Sequence, residues 1–157
     1  MSKKKIIILI LLEVLIDRLI KSIIVSNISL YQVVKVIPHF FALTYLQNTG
    51  AAFNILSSNT YLLIIIALIC LIFLFKYLFN SKIDHYDLIA LIMIIGGIIG
   101  NLIDRIFLKY VIDYLSFTIF NYEFAIFNFA DSLIVIGVVI LIINNFREEG
   151  KYDCRRR

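Results

Sequence analysis

The chain has 157 residues, of which 62% are hydrophobic, with a mean hydropathy of +0.97 and a formal net charge of +4 at pH 7. A soluble domain is nearer half apolar, so this composition excludes an ordinary soluble domain and indicates an integral membrane protein. The length suits one compact bundle, and residues 1–157 are predicted to form a single membrane domain.

Four stretches of the chain reach the roughly 20 apolar residues that a membrane-spanning helix needs. They cover residues 6–25, 61–79, 88–107 and 130–146. An even number of spans places both termini on one side, and lysines and arginines cluster near both ends, so both termini are predicted to be cytoplasmic. The basic ends are interpreted as signals of this orientation, and no nucleic-acid binding is predicted.

The two longer connections, residues 26–60 and 108–129, are then extracytoplasmic. They contain β-prone runs at residues 33–37, 40–46, 111–115 and 123–127, with Pro38 between the first two. The predicted fold is therefore a membrane all-α core of four transmembrane helices with a small extracytoplasmic β-sheet platform, whose apolar side chains dip into lipid.

The first span carries ionisable residues, each of which costs roughly 3 kcal/mol on insertion scales and tends to face the bundle interior. Glu13, Asp17 and Arg18 interrupt the apolar run, which predicts a retained helix rather than a cleaved signal peptide. Asp17 and Lys21 are four residues apart with the acid first, so they are expected to pair, with Lys21 snorkelling. Glu13 has no assigned partner, and Arg18 or another helix could serve.

The third span ends in a polar block. Gly96 and Gly100 are spaced for close helix packing. Asn101 and Arg105 share a helix face with Asp104 on its flank, and Arg105 could clamp a carboxylate through two hydrogen bonds. The block is either a polar plug at the membrane boundary or the support of a site.

Asp131 lies at the start of the fourth span. Asn128 is a good N-cap, which makes Asp131 the third residue of the helix, where the helix dipole stabilises a carboxylate by ~0.3–1 kcal/mol. Capping leaves Asp113 unexplained, because this acid lies in the apolar run VIDYL. The connection between the last two spans can bring Asp113 beside Asp131.

Two carboxylates in hydrogen-bonding contact share one proton and titrate as a unit. Such a pair suits amide hydrolysis, because one carboxylate takes a proton from water while the other protonates the carbonyl oxygen. The dipole of the fourth helix favours Asp131 as the ionised member.

Five sequence blocks, in order along the chain, carry a resemblance to a known family. They are DRLIK at 17–21, QNTGAAFNIL at 47–56, GGIIGNLIDR at 96–105, VIDYL at 111–115 and FNFADS at 127–132. From its first to its fourth span, the chain resembles the lipoprotein signal peptidases, or signal peptidase II, of bacteria.

The resemblance implies a multi-pass aspartyl protease of the bacterial cytoplasmic membrane with its active site near the outer face. Its substrates would be prolipoproteins cut just before a diacylglyceryl-modified cysteine, and globomycin-type cyclic peptides would inhibit it. The matched motifs make Asp113 and Asp131 the catalytic pair. Supporting or substrate-binding positions would be Asp17, Lys21, Asn48, Gly50, Asn101, Asp104, Arg105, Asn128 and Ala130. No metal or cofactor is predicted, and the partners would be substrate and membrane lipid, with the protein a monomer.

Within this scheme, Asn48 and Asn128 could hold the scissile peptide, residues 33–47 would form a platform, and the NTGAAF segment at 48–53 a flap over the groove. Three residues depart from the family pattern. Arg18 stands where Gln is usual, Asn54 where Gly is usual, and Tyr114 where Phe is usual, which adds a hydroxyl near the acids.

A non-enzymatic membrane protein and a different kind of intramembrane protease compete with this interpretation. A small non-enzymatic transporter or channel subunit could use the buried charges as an ion path, but the sequence lacks an inverted repeat. A rhomboid-like serine protease would need a histidine inside the bundle, and the chain has only His39 and His85, both predicted outside the spans. A presenilin-like enzyme would need a G-x-G-D block, which is absent.

Overall fold

The computed structural model of the protein describes residues 1–50, 59–80, 83–120 and 122–155. The described residues form four helices and four strands. In chain order they are α1 Lys3–Asn27, β1 Val33–Ile37, β2 Phe41–Asn48, α2 Thr60–Asn80, α3 His85–Phe107, β3 Val111–Ile119, β4 Tyr122–Glu123 and α4 Phe129–Arg155. The predicted fold class, a helical core with a small sheet, is confirmed.

The described part of the chain contains three helices that are long and apolar enough to cross a membrane. They are Thr60–Phe79, His85–Phe107 and Phe129–Arg147. α1 carries too many charges to qualify by composition, but its 25 residues extend about 37 Å at 1.5 Å per residue. Its outward side chains are apolar, with Ile8, Leu11 and Ile23 each 61% exposed. These features suit lipid contact and agree with the predicted first span.

The helices run beyond several of the predicted spans. α1 begins at Lys3 rather than at residue 6, and α4 continues to Arg155 rather than ending at residue 146. Hydropathy marks the length of helix that lipid can cover, whereas backbone hydrogen bonding continues into the charged flanks. Ser2 caps α1, because its Oγ accepts a hydrogen bond from the Lys5 amide at 3.4 Å.

Small residues on α3 allow its neighbours to approach closely. A Cβ at Gly97 would overlap the carbonyl oxygen of Ala130 on α4, and a Cβ at Gly137 would lie 2.7 Å from the carbonyl oxygen of Ala90 on α3. α3 and α4 are therefore in close backbone contact at Gly97 and Gly137, two glycines for which the sequence spacing predicted no role.

The predicted glycine pair of α3 faces α1. A Cβ at Gly96 would overlap Glu13 Oε2, and one at Gly100 would lie 2.8 Å from Asp17 Oδ2. The pair thus makes room for two acidic side chains, and its packing role is confirmed. Glu13 therefore lies against α3, where its Oε2 has no hydrogen-bond partner among the described residues.

The four strands form one antiparallel sheet in the order β1-β2-β3-β4. Three of the predicted β-prone runs are strands, but the run at 123–127 is not. Only Tyr122 and Glu123 form a strand there, and Phe127 makes a single bridge to Leu115, since the chain must turn to begin α4 at Phe129.

A small apolar core joins the sheet to the end of α1. It consists of Ile24, Ile28, Tyr45, Ile112 and Tyr114. In the β2–β3 ladder, Leu46 pairs with Asp113 and Asn48 pairs with Val111. This packing fixes the start of β3, which carries Asp113, above the helical bundle.

Candidate active site

The first turn of α4 fixes the carboxylate of Asp131. Asn128 Oδ1 accepts a hydrogen bond from the Asp131 amide at 3.0 Å, and Asp131 Oδ2 accepts one from the Asn128 amide at 3.2 Å. This reciprocal pair is a capping box, with Asn128 as the N-cap and Asp131 as the third helical residue. The predicted cap is confirmed, and it holds Asp131 at the mouth of α4.

Asp113 is held by two amide side chains. Asn48 Nδ2 donates to Asp113 Oδ2 at 2.8 Å, and Asn128 Nδ2 donates to Asp113 Oδ1 at 2.7 Å. The side chain is 1% exposed. Burial, and after it the negative charge of Asp131, raise the pKa of the Asp113 carboxyl to about 7, although the bonds from Asn48 and Asn128 oppose the shift.

Asn128 connects the two acids, because its side chain donates to Asp113 while its amide donates to Asp131. Both acids also line one cavity of about 610 Å³. The structure thus brings together two carboxylates that are separated by a strand and a turn in the sequence.

The cavity is polar at one end and apolar along its length. Asn48, Arg105, Asp113, Asp131 and Ser132 supply its polar groups. Its apolar wall comes from the start of β3, from the segment before α4 and from α4 itself, as Val111, Phe124, Ala125, Ile126, Phe127, Ile134, Val135 and Ile136. Such a shape suits an apolar chain with one polar bond near the acids.

Behind Asp131 lies a buried network that starts at Lys21. Asn101 Nδ2 donates to Asp131 Oδ1 at 2.7 Å, and Asn101 Oδ1 accepts from Lys21 Nζ at 3.0 Å. Lys21 pairs with Asp17 at 2.8 Å and with Asp104 at 2.7 Å. The predicted pair of Asp17 and Lys21 is confirmed. The predicted snorkelling is wrong, because Lys21 is 1% exposed and points into the bundle.

Asp104 connects this network to the strand that carries Asp113. Its Oδ2 accepts a hydrogen bond from the Ile112 amide at 3.3 Å. Its Oδ1 accepts one from Arg18 Nη2 at 2.5 Å, and the same Nη2 lies 3.6 Å from Asp17. Arg18, at a position where the family resemblance implies Gln, therefore completes a cluster of two acids and two bases.

Arg105 does not clamp a carboxylate among the described residues. Its Nη2 donates to the carbonyl oxygen of Gly50 at 3.0 Å, and the Gly50 amide donates to Asn48 Oδ1 at 2.9 Å. Arg105 and Asn48 thus hold Gly50 at the edge of the cavity. The rest of the predicted flap, and Asn54 with it, lies outside the described residues.

The structure adds contacts for three further residues singled out in the sequence. Asn128 is fully buried and its amide already bonds Asp113 and Asn101, so it is not available to hold a peptide. Ala130 is also fully buried and packs against Gly97 and Gly100, so it supports the α3–α4 contact. The Tyr114 hydroxyl accepts a hydrogen bond from the Phe129 amide at 3.0 Å and so ties β3 to the first residue of α4.

Metal ligation was not predicted from the sequence. Within the described ranges, no group of three His, Cys, Asp or Glu side chains could hold a metal ion. The polar end of the cavity offers carboxyl, amide and guanidinium groups and the Ser132 hydroxyl.

Comparison with known proteins identifies the family. The signal peptidase (SPase) II family model matches residues 8–147 of the chain. The chain belongs to this family. It is therefore a membrane-embedded peptidase, and the transporter or channel alternative is not favoured.

Individual relatives agree with this assignment. The lipoprotein signal peptidase of Streptococcus thermophilus (strain CNRZ 1066) is 44% identical over 135 residues, which cover 85% of this chain and 87% of that protein. The one of Clostridium tetani is 40% identical over 149 residues, covering 94% and 96%. A solved bacterial membrane enzyme has a TM-score of 0.87 at 33% identity and covers 95% of this chain and 92% of its own.

Proposed function

We propose that the chain is an aspartic endopeptidase that removes signal peptides from diacylglyceryl-modified prolipoproteins by cutting before the lipidated cysteine. The observation that carries the proposal is the pair Asp113 and Asp131, which share Asn128 and line one apolar cavity. The names of the relatives support the substrate class, because they are lipoprotein signal peptidases.

The proposed reaction uses one ionised and one protonated carboxyl. Asp131 lies at the positive end of α4 and takes a proton from the attacking water, while Asp113 gives its proton to the carbonyl oxygen. In the diol that forms, Asp131 returns its proton to the amide nitrogen and Asp113 recovers a hydroxyl proton. The carbon–nitrogen bond then breaks, and the pair is restored for the next cycle.

The shape of the cavity supports a lipid-linked substrate. Its apolar wall follows α4 into the membrane from Ser132 to Ile136, while the acids stand at its polar end. An apolar signal segment and an acyl chain can lie against this wall and present one peptide bond to the acids. Globomycin-type inhibitors are proposed to occupy the same cavity, and a single chain supplies both acids, as a monomer requires.

The test is cleavage of a diacylglyceryl prolipoprotein by purified variants, followed by gel shift. Asp113→Asn and Asp131→Asn should each lower turnover by about 100-fold or more, since general acid–base catalysis contributes 10²–10⁴-fold. Glu123→Gln removes an exposed acid of β4 and serves as the matched control with wild-type turnover. Near-normal cleavage by either asparagine variant would refute the proposal.

A further inference from the structure

A second apolar groove lies on α2, away from the two acids. It has a volume of about 510 Å³ and is lined by Leu68, Leu71, Ile72, Phe75, Lys76 and Phe79. These residues recur every three or four positions and so form one stripe along the helix. Leu71 is buried in the core shared with α1 and α3, whereas Ile72 is 60% exposed. The groove is therefore closed by the bundle on one side and open to the surroundings on the other.

Two lysines from different helices lie at one end of this groove. Lys76 lines it, and Lys3 Nζ of α1 lies 5.3 Å from the centre of the Phe79 ring. Both lysines are exposed. The ion pairs among the described residues involve only Arg18 and Lys21, so neither amine is neutralised by a described carboxylate.

The rings of Phe75 and Phe79 join the apolar stripe to the amines. They stack with their centres 6.1 Å apart, and Phe79 carries the Lys3 amine over its face. An acyl chain that lies along the stripe would end with its headgroup beside Lys3 and Lys76. The groove and the two charges are thus parts of one surface.

We propose that this surface binds one phospholipid with an anionic headgroup. The acyl chain lies along the stripe of α2, and the phosphate lies between Lys3 and Lys76, which links α1 to α2. A zwitterionic headgroup would place its own cation beside the amines, whereas an anionic headgroup complements them. The site is distinct from the cavity of the acids and does not depend on the proposed catalytic function.

Thermal unfolding of the detergent-purified full chain tests the site, with phosphatidylglycerol or phosphatidylcholine of identical acyl chains added. Phosphatidylglycerol should raise the unfolding temperature at least twice as much as phosphatidylcholine. The double variant Lys3→Gln with Lys76→Gln should give equal shifts with both lipids. Lys35→Gln removes an exposed lysine of β1 and should keep the wild-type difference.

A second variant tests the groove separately from its charges. Ile72→Trp fills the open side while both lysines remain, and it should reduce the shift caused by phosphatidylglycerol by at least half. Equal shifts of the wild-type protein with the two lipids would overturn the proposal. So would a loss of selectivity in Lys35→Gln as large as in the double variant, because attraction would then follow total charge.

Discussion

The carboxyl of Asp113 is buried beside a second acid, and this environment raises its pKa from 3.8 to about 7. A carboxyl with a raised pKa keeps its proton in the folded protein after the unfolded chain has released it. The stability that this group contributes is therefore complete below pH 3.8 and is lost as the pH rises to about 7.

The loss of stability with rising pH can be measured. Between pH 4 and pH 7, the unfolding temperature of the wild-type protein should fall relative to that of Asp113→Asn, which has no carboxyl at this position. The rate of cleavage by the wild-type protein should fall above about pH 7, because the pair then loses its shared proton. Unfolding curves in detergent across this range check the first expectation, and a constant difference between the two proteins would contradict it.

Arg18 stands where the family resemblance implies Gln, and its guanidinium contacts both Asp17 and Asp104. Arg18→Gln leaves Asp104 with Lys21 as its one cation, although Lys21 is already shared with Asp17. We expect a loss of about 1–2 kcal/mol in unfolding free energy, the range of a partly exposed charged hydrogen bond. The value of kcat should fall several-fold with KM unchanged, because Arg18 acts on Asp113 through Asp104 and the Ile112 amide.

The conservative variant separates charge from mere side-chain volume at this position. Arg18→Lys keeps a cation near Asp104 and should recover most of the lost kcat and stability. An Arg18→Gln protein with wild-type stability and turnover would show that the contact has no energetic weight.

The contact between α3 and α4 depends on a glycine in each helix. Gly97→Ala places a methyl group against the backbone carbonyl of Ala130, and this backbone cannot move without moving Asp131. We expect a loss of about 1–3 kcal/mol, as for other overpacked sites, together with reduced turnover. Unfolding temperature and initial rate measure the two effects.

Its neighbour Gly96 provides a matched control. A methyl group at position 96 meets the carboxylate end of Glu13, which is a flexible side chain that can rotate away. The Cβ of Glu13 would lie 3.0 Å from that methyl group. Gly96→Ala should therefore be milder than Gly97→Ala. The reverse order would show that the α3–α4 contact is not the tighter one.

The elements and the local features of the site could be predicted from the sequence, whereas its long-range contacts could not. The length of the apolar runs predicts the spans, and the spacing of Asn128 and Asp131 predicts a cap, because each signal lies within one short stretch of sequence. The bond from Arg18 to Asp104 joins positions 86 apart, and no local pattern encodes it. The same holds for Arg105, whose partner is a backbone oxygen that side-chain chemistry does not reveal.

The charge distribution of the whole molecule favours one orientation in the membrane. Lysines and arginines concentrate at the chain ends, so we propose that both termini are cytoplasmic and that the sheet and the acids lie near the outer face. In a background of Cys70→Ser and Cys154→Ser, Lys35→Cys on β1 should react with an impermeant maleimide in intact cells, and Lys4→Cys should not. The opposite labelling would reverse the orientation.

The residues that hold the two acids in place come from segments that are far apart in the chain. Lys21 belongs to α1, Asn101 and Asp104 to α3, and Asp131 to α4, while the Ile112 amide belongs to β3. A chain whose insertion into the bilayer is incomplete lacks at least one of these supports. We therefore expect the two acids to reach their hydrogen-bonded positions only when α1, α3, β3 and α4 are all in place.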